Sequence, residues 1–468
     1  MSIENVDKIF VQTHGKLIKG IQQNAYGVLI YKGFYDNIYI KNTIRSFRMK
    51  RFFYPADIYL PELDGEKGKR WACVACDQYT SEREYWAAAR EYVKDAPSTL
   101  NLMLPEAYLD MEDVAIPQIN AKMREYLCDG TLKCHENTMI YLEREQSDGK
   151  IRRGLVGAVD LEEYDYNRGS TTLTRATEGT VLERIPPRVA IRRGAAIEMP
   201  HIMILIDDRD GTVIEPIADK CGNYVKAYDF ELMANSGRVR GYYVNEGDFE
   251  GINEALAGLC APGVMKNKYG VDAPPLLFAI GDGNHSLASA KALYEEIKAE
   301  IGREAAMSHP ARFALCEIVN LHDAALEFEP IYRVAFGVDT EDFTKEFDTY
   351  LRSLDGGAEK QSFDLVFGDR RVTFTAGKPE AQLPVGTAQD FLDKYVSGHP
   401  DVSVDYIHGI DTVIALAKKE NTVGILFDGM SKDMLFKTVI CDGALPRKTF
   451  SMGHAADKRF YVECRRIR

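Results

Sequence analysis

Along most of the chain, apolar residues recur in short segments. Some segments repeat every second residue, as in a strand, and others every three to four residues, as in a helix, so the sequence predicts strands interspersed with helices. Strand-type alternation or short apolar runs occur at 138–146, 151–160, 200–207, 223–229, 276–280, 313–320, 362–368, 371–376, 423–428 and 457–463. Helical spacing occurs at 186–194, 249–259, 286–301, 341–354, 388–396, 409–419 and 431–441. A capping-box pattern at 81–84 predicts one more helix, reaching about Lys94. The mixture predicts an α+β (mixed α/β) fold.

Composition along the chain predicts three parts. The first fifty residues hold six lysines and two arginines against three acidic residues and show no sustained period. We expect residues 1–48 to be a poorly structured, dispensable extension ahead of Met49. The alternative is a basic arm, but such arms normally carry denser blocks of like charge. Residues 49–330 would then form the main α/β domain. Pro330 and the acidic stretch after Gly337 predict a boundary before a smaller C-terminal α/β unit, 331–468.

Charge and cysteine content exclude several classes of function. The 468 residues carry 58 basic against 71 acidic side chains, a net charge of −13, which argues against a protein that grips nucleic acid backbones. The apolar runs are far shorter than the roughly 20 residues of a membrane helix, and no signal peptide is recognisable. We therefore expect a cytoplasmic protein with no membrane partner. The nine cysteines predict reduced thiols. Cys73 and Cys76 have CxxC spacing, yet Cys128, Cys134 and His135 do not complete a compact zinc motif, so no metal site is predicted.

One segment has the pattern of an anion-binding turn. The short apolar run 276–280 predicts a buried strand, and Gly281-Asp282-Gly283-Asn284-His285-Ser286 leads from it into a helix. Glycines let a ligand approach the backbone, and a helix N-terminus favours a phosphate. Asp282 could hold Mg²⁺ or accept a proton, and His285 could donate to phosphate oxygens. The alternative is an ordinary strand-to-helix turn with Asp or Asn as the N-cap. The run matches neither a Walker A loop nor GxGxxG.

This run and the alanine-rich helix after it resemble the glycine–histidine motif of a bacterial and archaeal family, domain of unknown function 1015. Further segments resemble other elements of that family in the same order. They are Gly154–Tyr164, Arg175–Thr180, Arg188–Arg193, Phe328–Arg333 and Leu445–Phe450. Together these segments extend the resemblance over nearly everything from Met49 to Arg468.

The resemblance implies a fold and a site. The family's turn is similar to the phosphate-binding turn of the ParB and sulfiredoxin fold, which an ADP-dependent free-serine kinase also uses. It implies a ParB/sulfiredoxin-like core in which Gly281 and Gly283 approach a phosphate and Glu178 is a second acid. Two departures remove positive charge, because Asn284 replaces a histidine and Ser286 replaces an arginine.

Basic residues elsewhere could compensate for that lost charge. Arg188 and Arg192 share one face of a predicted helix at i,i+4, close to Arg184 and Arg193. Lys448 is a third candidate, and we expect residues 447–454 to return to the main domain and wall the pocket around His285. Lys458 and Arg459 are further options.

Two functions follow as hypotheses. The first is a nucleotide-dependent phosphotransferase, with Asp282, His285 and Glu178 as catalytic candidates, Mg²⁺ with ADP or ATP as cofactor, and a small hydroxyl metabolite as acceptor. The second is a non-catalytic module that binds a nucleotide or another phosphorylated small molecule. DNA binding in the ParB manner fits poorly with the acidic net charge. The sequence specifies neither the substrate, nor the phosphate donor, nor the oligomeric state.

Overall fold

The computed structural model describes residues 50–179 and 185–468, together with two short strands ahead of them. The strands are β1 (Ile21–Gln23), β2 (Leu29–Tyr31), β3 (Ala56–Leu60), β4 (Cys73–Val74), β5 (Lys133–Thr138), β6 (Ile140–Glu145), β7 (Ile151–Asp160), β8 (Tyr164–Asp165), β9 (Thr174–Arg175), β10 (Ile197–Glu198), β11 (Met203–Ile206), β12 (Val225–Glu231), β13 (Arg238–Tyr243), β14 (Phe278–Asp282), β15 (Phe313–Asn320), β16 (Phe328–Phe336), β17 (Gln361–Phe367), β18 (Arg370–Ala376), β19 (Ser403–His408), β20 (Thr422–Phe427), β21 (Phe450–Met452), β22 (Phe460–Tyr461) and β23 (Cys464–Arg466). The α-helices are α1 (Gly65–Trp71), α2 (Arg83–Val93), α3 (Glu112–Cys128), α4 (Ile185–Arg193), α5 (Glu215–Ala218), α6 (Phe249–Leu259), α7 (Val264–Tyr269), α8 (Asn284–Ile301), α9 (Arg303–Ala306), α10 (Thr340–Ser353), α11 (Pro384–Gly398), α12 (Ile410–Ala417) and α13 (Lys432–Asp442). This confirms the predicted α+β class.

The larger sheet contains nine of the described strands, in the order β12-β13-β6-β7-β15-β11-β14-β9-β8. β11 runs parallel to β15 and antiparallel to β14. All four residues of β11 are buried, as expected for an apolar strand covered on both faces. The candidate strand β14 therefore lies inside the sheet, next to β11, and its end is held in a fixed position.

The second sheet contains six described strands, β18-β17-β20-β16-β19, with β21 added against β16. Aromatic side chains of α10 and α11 contribute to its core. Phe347 of α10 and Phe391 of α11 meet nearly edge-on, with ring centroids 4.9 Å apart. α10 is spaced so that Phe343, Phe347 and Leu351 share one buried face, which is the i, i+4, i+8 pattern of an amphipathic helix.

The last strands of the chain join sheets that begin near its described start. β22 pairs with β4, and β23 lies between β10 and β3 in a four-stranded sheet. Phe52–Arg468 form one compact unit. Pro330 lies inside strand β16, and the final strands of residues 331–468 pair with strands of the first part of the chain. The division between residues 330 and 331 stays a prediction.

Most predicted elements occur within a few residues of their expected bounds, with two kinds of exception. The helix after Ser81 is present as α2, but its N-cap is Glu82 and no side chain caps it, so the capping box was wrong. Unpredicted elements include α1, α3, β3, β5, β13 and β19. The hypothesis about residues 1–48 lies outside the described residues. β1 and β2, within that segment, pair antiparallel with each other.

Candidate functional site

A glycine turn joins the end of β14 to the start of α8 and forms the centre of the candidate site. Gly283 lies at this junction with a φ of 80°, in the left-handed region that glycine adopts without steric cost. A Cβ at this position would lie 3.1 Å from the Ile202 Cα on the neighbouring segment. The predicted succession of strand, turn and helix is confirmed, with β14 reaching Asp282 and α8 beginning at Asn284.

Asp282 ends β14 and is held from two sides. One carboxylate oxygen accepts a hydrogen bond from the Gly283 N–H at 2.9 Å. The other lies 3.2 Å from Lys458 Nζ. The exposed fractions of the two side chains are 21% for Asp282 and 16% for Lys458, so water screens this pair less than it would screen a surface pair. Lys458 therefore supplies the positive charge nearest to the end of the strand.

A second carboxylate, Asp77, reaches the same region through a buried histidine. Asp77 Oδ2 lies 3.4 Å from His201 Nε2, and His201 Nδ1 lies 2.8 Å from the Tyr461 hydroxyl. His201 precedes β11, whose antiparallel pairing with β14 sets Met203 opposite Asp282. The His201 ring consequently packs against the turn, with its Cδ2 atom 3.5 Å from where a Cβ on Gly283 would be.

The charges of Asp77 and His201 support each other. Burial disfavours a proton on His201, but the neighbouring Asp77 and, more weakly, Asp282 raise its pKa above 6.5. Burial also disfavours the carboxylate of Asp77, yet His201, Gln78 and Lys458 hold its pKa below the ordinary 3.8. Asp77 is therefore ionised at neutral pH, and His201 accepts a proton more readily than a free histidine does.

Glu178 lies just after β9 and meets the C-terminal part of the chain. Its backbone forms an isolated parallel bridge with Leu445, and the backbone N–H of Lys448 donates to its carboxylate. Burial raises the pKa of Glu178, the positive charge of Lys448 lowers it, and the negative charge of Asp282 raises it, with a net rise. The charges of Asp282 and Lys448 thus both act on the carboxylate of Glu178, so the two acids predicted from the sequence lie close enough to interact.

The three residues at the start of α8 are half-buried. The Asn284 Oδ1 accepts from the Thr177 N–H at 3.2 Å, and its amide nitrogen lies 3.4 Å from the Thr177 hydroxyl. Asn284 therefore ties the turn to the segment that carries Glu178. The carbonyl of His285 accepts a hydrogen bond from the Ser289 hydroxyl at 2.7 Å. Together with Ser286, these residues line the first turn of α8, and a concave pocket there stays a prediction.

The two arginines of α4 that were predicted to bind phosphate, Arg188 and Arg192, pair with carboxylates outside the turn. Arg188 pairs with Glu106. Arg192 Nη2 lies 2.5 Å from Glu198 Oε2, and the buried Glu198 also pairs with Arg465 of β23 at 2.8 Å. A phosphate would have to compete with these carboxylates for either arginine. Arg184, by contrast, lies outside the described residues.

A family model described as "Protein of unknown function (DUF1015)" matches residues 61–395, which is more than half of the chain. The chain belongs to this family. No curated protein matches the chain. Of the DUF1015-like segments recognised in the sequence, those from Gly154 to Arg333 lie inside the matched range. Leu445–Phe450 lies outside it, but its Leu445 bridges to Glu178 within it.

Solved structures similar to this DUF1015 chain match it at low identity. Free serine kinase in complex with AMP is 9% identical, with 65% of this chain and 90% of that chain covered and a TM-score of 0.34. A conserved hypothetical protein from Pyrococcus furiosus is 10% identical over 63% and 89%, with a TM-score of 0.30. SbnI with a C-terminal truncation, from Staphylococcus aureus, is 11% identical over 64% and 82%, with a TM-score of 0.30.

The sequence did not point to Asp77, His201 or Tyr461. Asp77 directly follows the Cys73–Cys76 pair, whose CxxC spacing suggests only a metal ligand pair. Cys73 is instead buried in the core, and Cys76 Sγ lies 3.2 Å from the Tyr461 hydroxyl. His201 stands immediately before an apolar strand run, which is a weak signal by itself. Its importance depends on the pairing of β11 with β14, and that pairing cannot be recognised from local periodicity.

Two observations bear on membranes and metals. Among the described residues, no helix combines the length and apolar character that a membrane span needs.

Within the same part of the chain, Asp342, Glu346 and His399 bring one potential ligand atom each to within 4.8 Å of one another. Two of these side chains are exposed, and they belong to the second sheet's helices rather than to the glycine turn.

Proposed function

We propose that this protein is a phosphotransferase that binds a nucleotide at the glycine turn and transfers a phosphoryl group to a small hydroxyl-bearing metabolite. The observation that carries the proposal is the convergence of Asp282, Lys458 and the Asp77–His201 pair at the N-terminus of α8. Phosphoryl transfer requires mainly positioning and neutralisation of charge. This cluster supplies one lysine, Lys458, for the phosphates and two carboxylates for a cation or a proton.

The first turn of α8 is suited to a phosphate. The helix is 18 residues long, its first turn holds no acidic residue, and among the described residues no side chain caps it. Backbone N–H groups at a helix start have no partner within the helix, and the helix dipole favours an anion there. In this proposal Gly281 and Gly283 allow the close approach, and the side chains of His285 and Ser286 add donors. Lys448 approaches from the C-terminal segment.

Glu178 is the proposed general base, because burial raises its pKa toward the range in which a base works near neutral pH. The acceptor hydroxyl oxygen would form a bond to the terminal phosphorus as its proton passes to the Glu178 carboxylate. The bond between that phosphorus and the bridging oxygen would break, and the shortened nucleotide would leave with the electron pair. Lys458 and the N-terminus of α8 would stabilise the charge on the phosphoryl oxygens.

The donor atoms present fit Mg²⁺, which binds through one or two carboxylates and the phosphates of its substrate. Asp282 and Asp77 would supply these carboxylates. Both act electrostatically on His201, and Lys458 acts on Asp77 and pairs with Asp282, so the two carboxylates share the same neighbours. The ion would neutralise the phosphates and fix their orientation.

Turnover with a matched pair of variants tests the proposal. The full chain is incubated with Mg²⁺, ATP or ADP, and a panel of hydroxyl metabolites, and phosphorylated products are detected by mass spectrometry. We expect a product that disappears in Asp282→Asn and persists in Asp405→Asn, an exposed aspartate of β19. Nucleotide binding without any product would contradict the transferase.

A binding module without chemistry is the second candidate, and Asn284 favours it. This residue is bonded to Thr177, so it contributes a structural link where the family motif has a histidine. Asp282 and Asp77 are likewise held in ion pairs. A module of this kind would bind nucleotide or phosphorylated metabolite at the same turn and release it unchanged.

The proposal also includes a fold relationship to other proteins and a cellular location. The succession of buried strand, glycine turn and helix is the basis for a ParB/sulfiredoxin-like core. A cytoplasmic location and a phosphorylated small molecule as the partner complete the proposal, and the acidic charge balance argues against a nucleic acid partner.

A further inference from the structure

Two tyrosine rings stack in the loop that follows Asp77. The ring centroids of Tyr79 and Tyr85 are 3.8 Å apart, and their planes are inclined by only 16°. Trp86 meets Tyr85 edge-on at 5.2 Å, and its indole N–H donates to the Tyr79 carbonyl at 3.2 Å. Because the Trp86 side chain is buried, it fixes both the ring of Tyr85 and the backbone of Tyr79.

Tyr79 adopts a backbone conformation that a bulky residue rarely takes. Its φ is 50°, in the left-handed region that disfavours side chains with a Cβ. The Glu82 N–H donates to the Tyr79 carbonyl at 3.1 Å, in addition to the Trp86 contact. Strain of this kind persists where surrounding contacts impose it, and it is found at ligand-binding positions. Here the imposed conformation sets the ring of Tyr79 against that of Tyr85.

The stack lies close to the proposed phosphate site. Tyr79 is two residues after Asp77, so their Cα atoms are at most about 7 Å apart. The Ala75 N–H, in the same loop, donates to the carbonyl of Arg459 at 3.2 Å, and Arg459 is the immediate neighbour of Lys458. Both stacked rings are half-buried, whereas residues 80–84 are exposed. The rings therefore stand between the charged cluster and solvent.

We propose that the Tyr79–Tyr85 stack forms the wall against which the base of a purine nucleotide lies, while the phosphates of that nucleotide reach Gly283 and Lys458. This inference rests on the proposed function and adds the class of ligand. A flat heteroaromatic ring gains dispersion and quadrupole interactions from an aromatic face. Tyr85 and Trp86 hold that face in place before the ligand arrives, which reduces the entropy lost on binding.

Calorimetric binding of ADP and of pyrophosphate, both with Mg²⁺, tests the proposal on the full chain. Pyrophosphate probes the phosphate site without a base. The variants are Tyr79→Leu, Tyr79→Phe, Tyr85→Leu and, as the matched control, Tyr92→Leu. Tyr92 belongs to the same helix as Tyr85, but its hydroxyl donates to Glu66 at 2.8 Å, away from the stack.

We expect Tyr79→Leu to weaken ADP binding by about 5- to 150-fold, the range for losing one base–aromatic stack. Tyr79→Phe should bind ADP as the wild type does, because it keeps the ring, and Tyr85→Leu should show a smaller loss in the same direction. Pyrophosphate binding should be equal in all variants.

Two outcomes would overturn this inference alone. In the first, the wild type binds pyrophosphate as tightly as ADP. In the second, Tyr79→Leu binds ADP normally or loses both ligands in parallel. A wild type that binds neither ligand would remove the proposed function together with the inference.

Discussion

Lys458 Nζ lies 3.2 Å from Asp282 Oδ2, which joins the last part of the chain to a turn 176 residues earlier. The contact matters because Asp282 is also bonded to the backbone of Gly283. The Lys458 ammonium neutralises the Asp282 carboxylate at the end of β14. The first turn of α8, which follows, contains no acidic residue. In the proposed site, the positive charge beside the turn thus comes from a residue that the local sequence of the turn does not contain.

Replacement of Lys458 should weaken anion binding. We expect Lys458→Met to bind pyrophosphate about 10- to 100-fold less tightly, since a hydrogen bond to a charged group contributes roughly 1.5–3 kcal/mol. The exposed Lys418 provides the control, and Lys418→Met should bind normally. Calorimetry measures both affinities. Equal affinity in Lys458→Met would place the phosphate elsewhere.

Removal of the base should lower the rate without lowering the affinity. Glu178→Gln keeps the shape of the side chain but cannot accept the acceptor's proton, so we expect kcat to fall by about 10²- to 10⁴-fold. The Kd for ADP should change little. In the wild type, kcat should rise with pH through the raised pKa of Glu178, because only the carboxylate acts as a base. A pH-independent rate in that range would argue against this role.

The Asp77–His201 pair should make stability depend on pH in a defined sense. The pKa of His201 is raised above 6.5, so its contribution is complete below that pH and is lost as pH rises through the folded value. The pKa of Asp77 is lowered from 3.8, so its contribution is present above pH 3.8 and is lost as pH falls through the folded value. His201→Gln should therefore destabilise the protein more at about pH 5.5 than at about pH 9.

Chemical denaturation at several pH values measures this effect. The exposed His408 supplies a control variant, His408→Gln, for which the loss should be small and independent of pH. A loss for His201→Gln that grows as pH rises would contradict the ion pair.

A buried charge network beside the site should dominate stability. Glu317 is fully buried and pairs with Arg152 at 3.2 Å and with Arg459 at 2.9 Å. Glu317→Gln removes the carboxylate that pairs with the buried Arg152 and leaves Arg459 with Glu463 as its partner, and we expect the free energy of unfolding to fall by about 3–5 kcal/mol. Glu420→Gln, at an exposed position, should change it by less than about 0.5 kcal/mol. Urea unfolding compares the two.

Local periodicity predicted the element at the centre of the site but not the residues that surround it. The run 276–280 ends at two glycines, and this pattern specifies strand, turn and helix within a few residues. Glu178 was found only through the resemblance to a family. Asp77 and His201 could not be found, because they meet through the pairing of β11 with β14 and the loop after β4. Strand order depends on contacts between distant residues, and no local pattern encodes it.

The same limit applies to the C-terminal unit, which stays a prediction. The acidic stretch after Gly337 is a change in composition at the start of α10. β23 lies between β10 and β3, and its Cys464 is buried. A strand of three residues carries too little pattern to reveal its partners.

The insertion of β23 has a consequence for synthesis of the protein. During translation the residues around Asp77 emerge first, those around Asp282 later, and Lys458 with the strands that hold it later still. Pairings over such long sequence separations form slowly. A nascent or prematurely terminated chain can therefore contain every residue of the glycine turn and still lack its positive charge. If the proposed site is correct, it forms only after translation has passed Lys458.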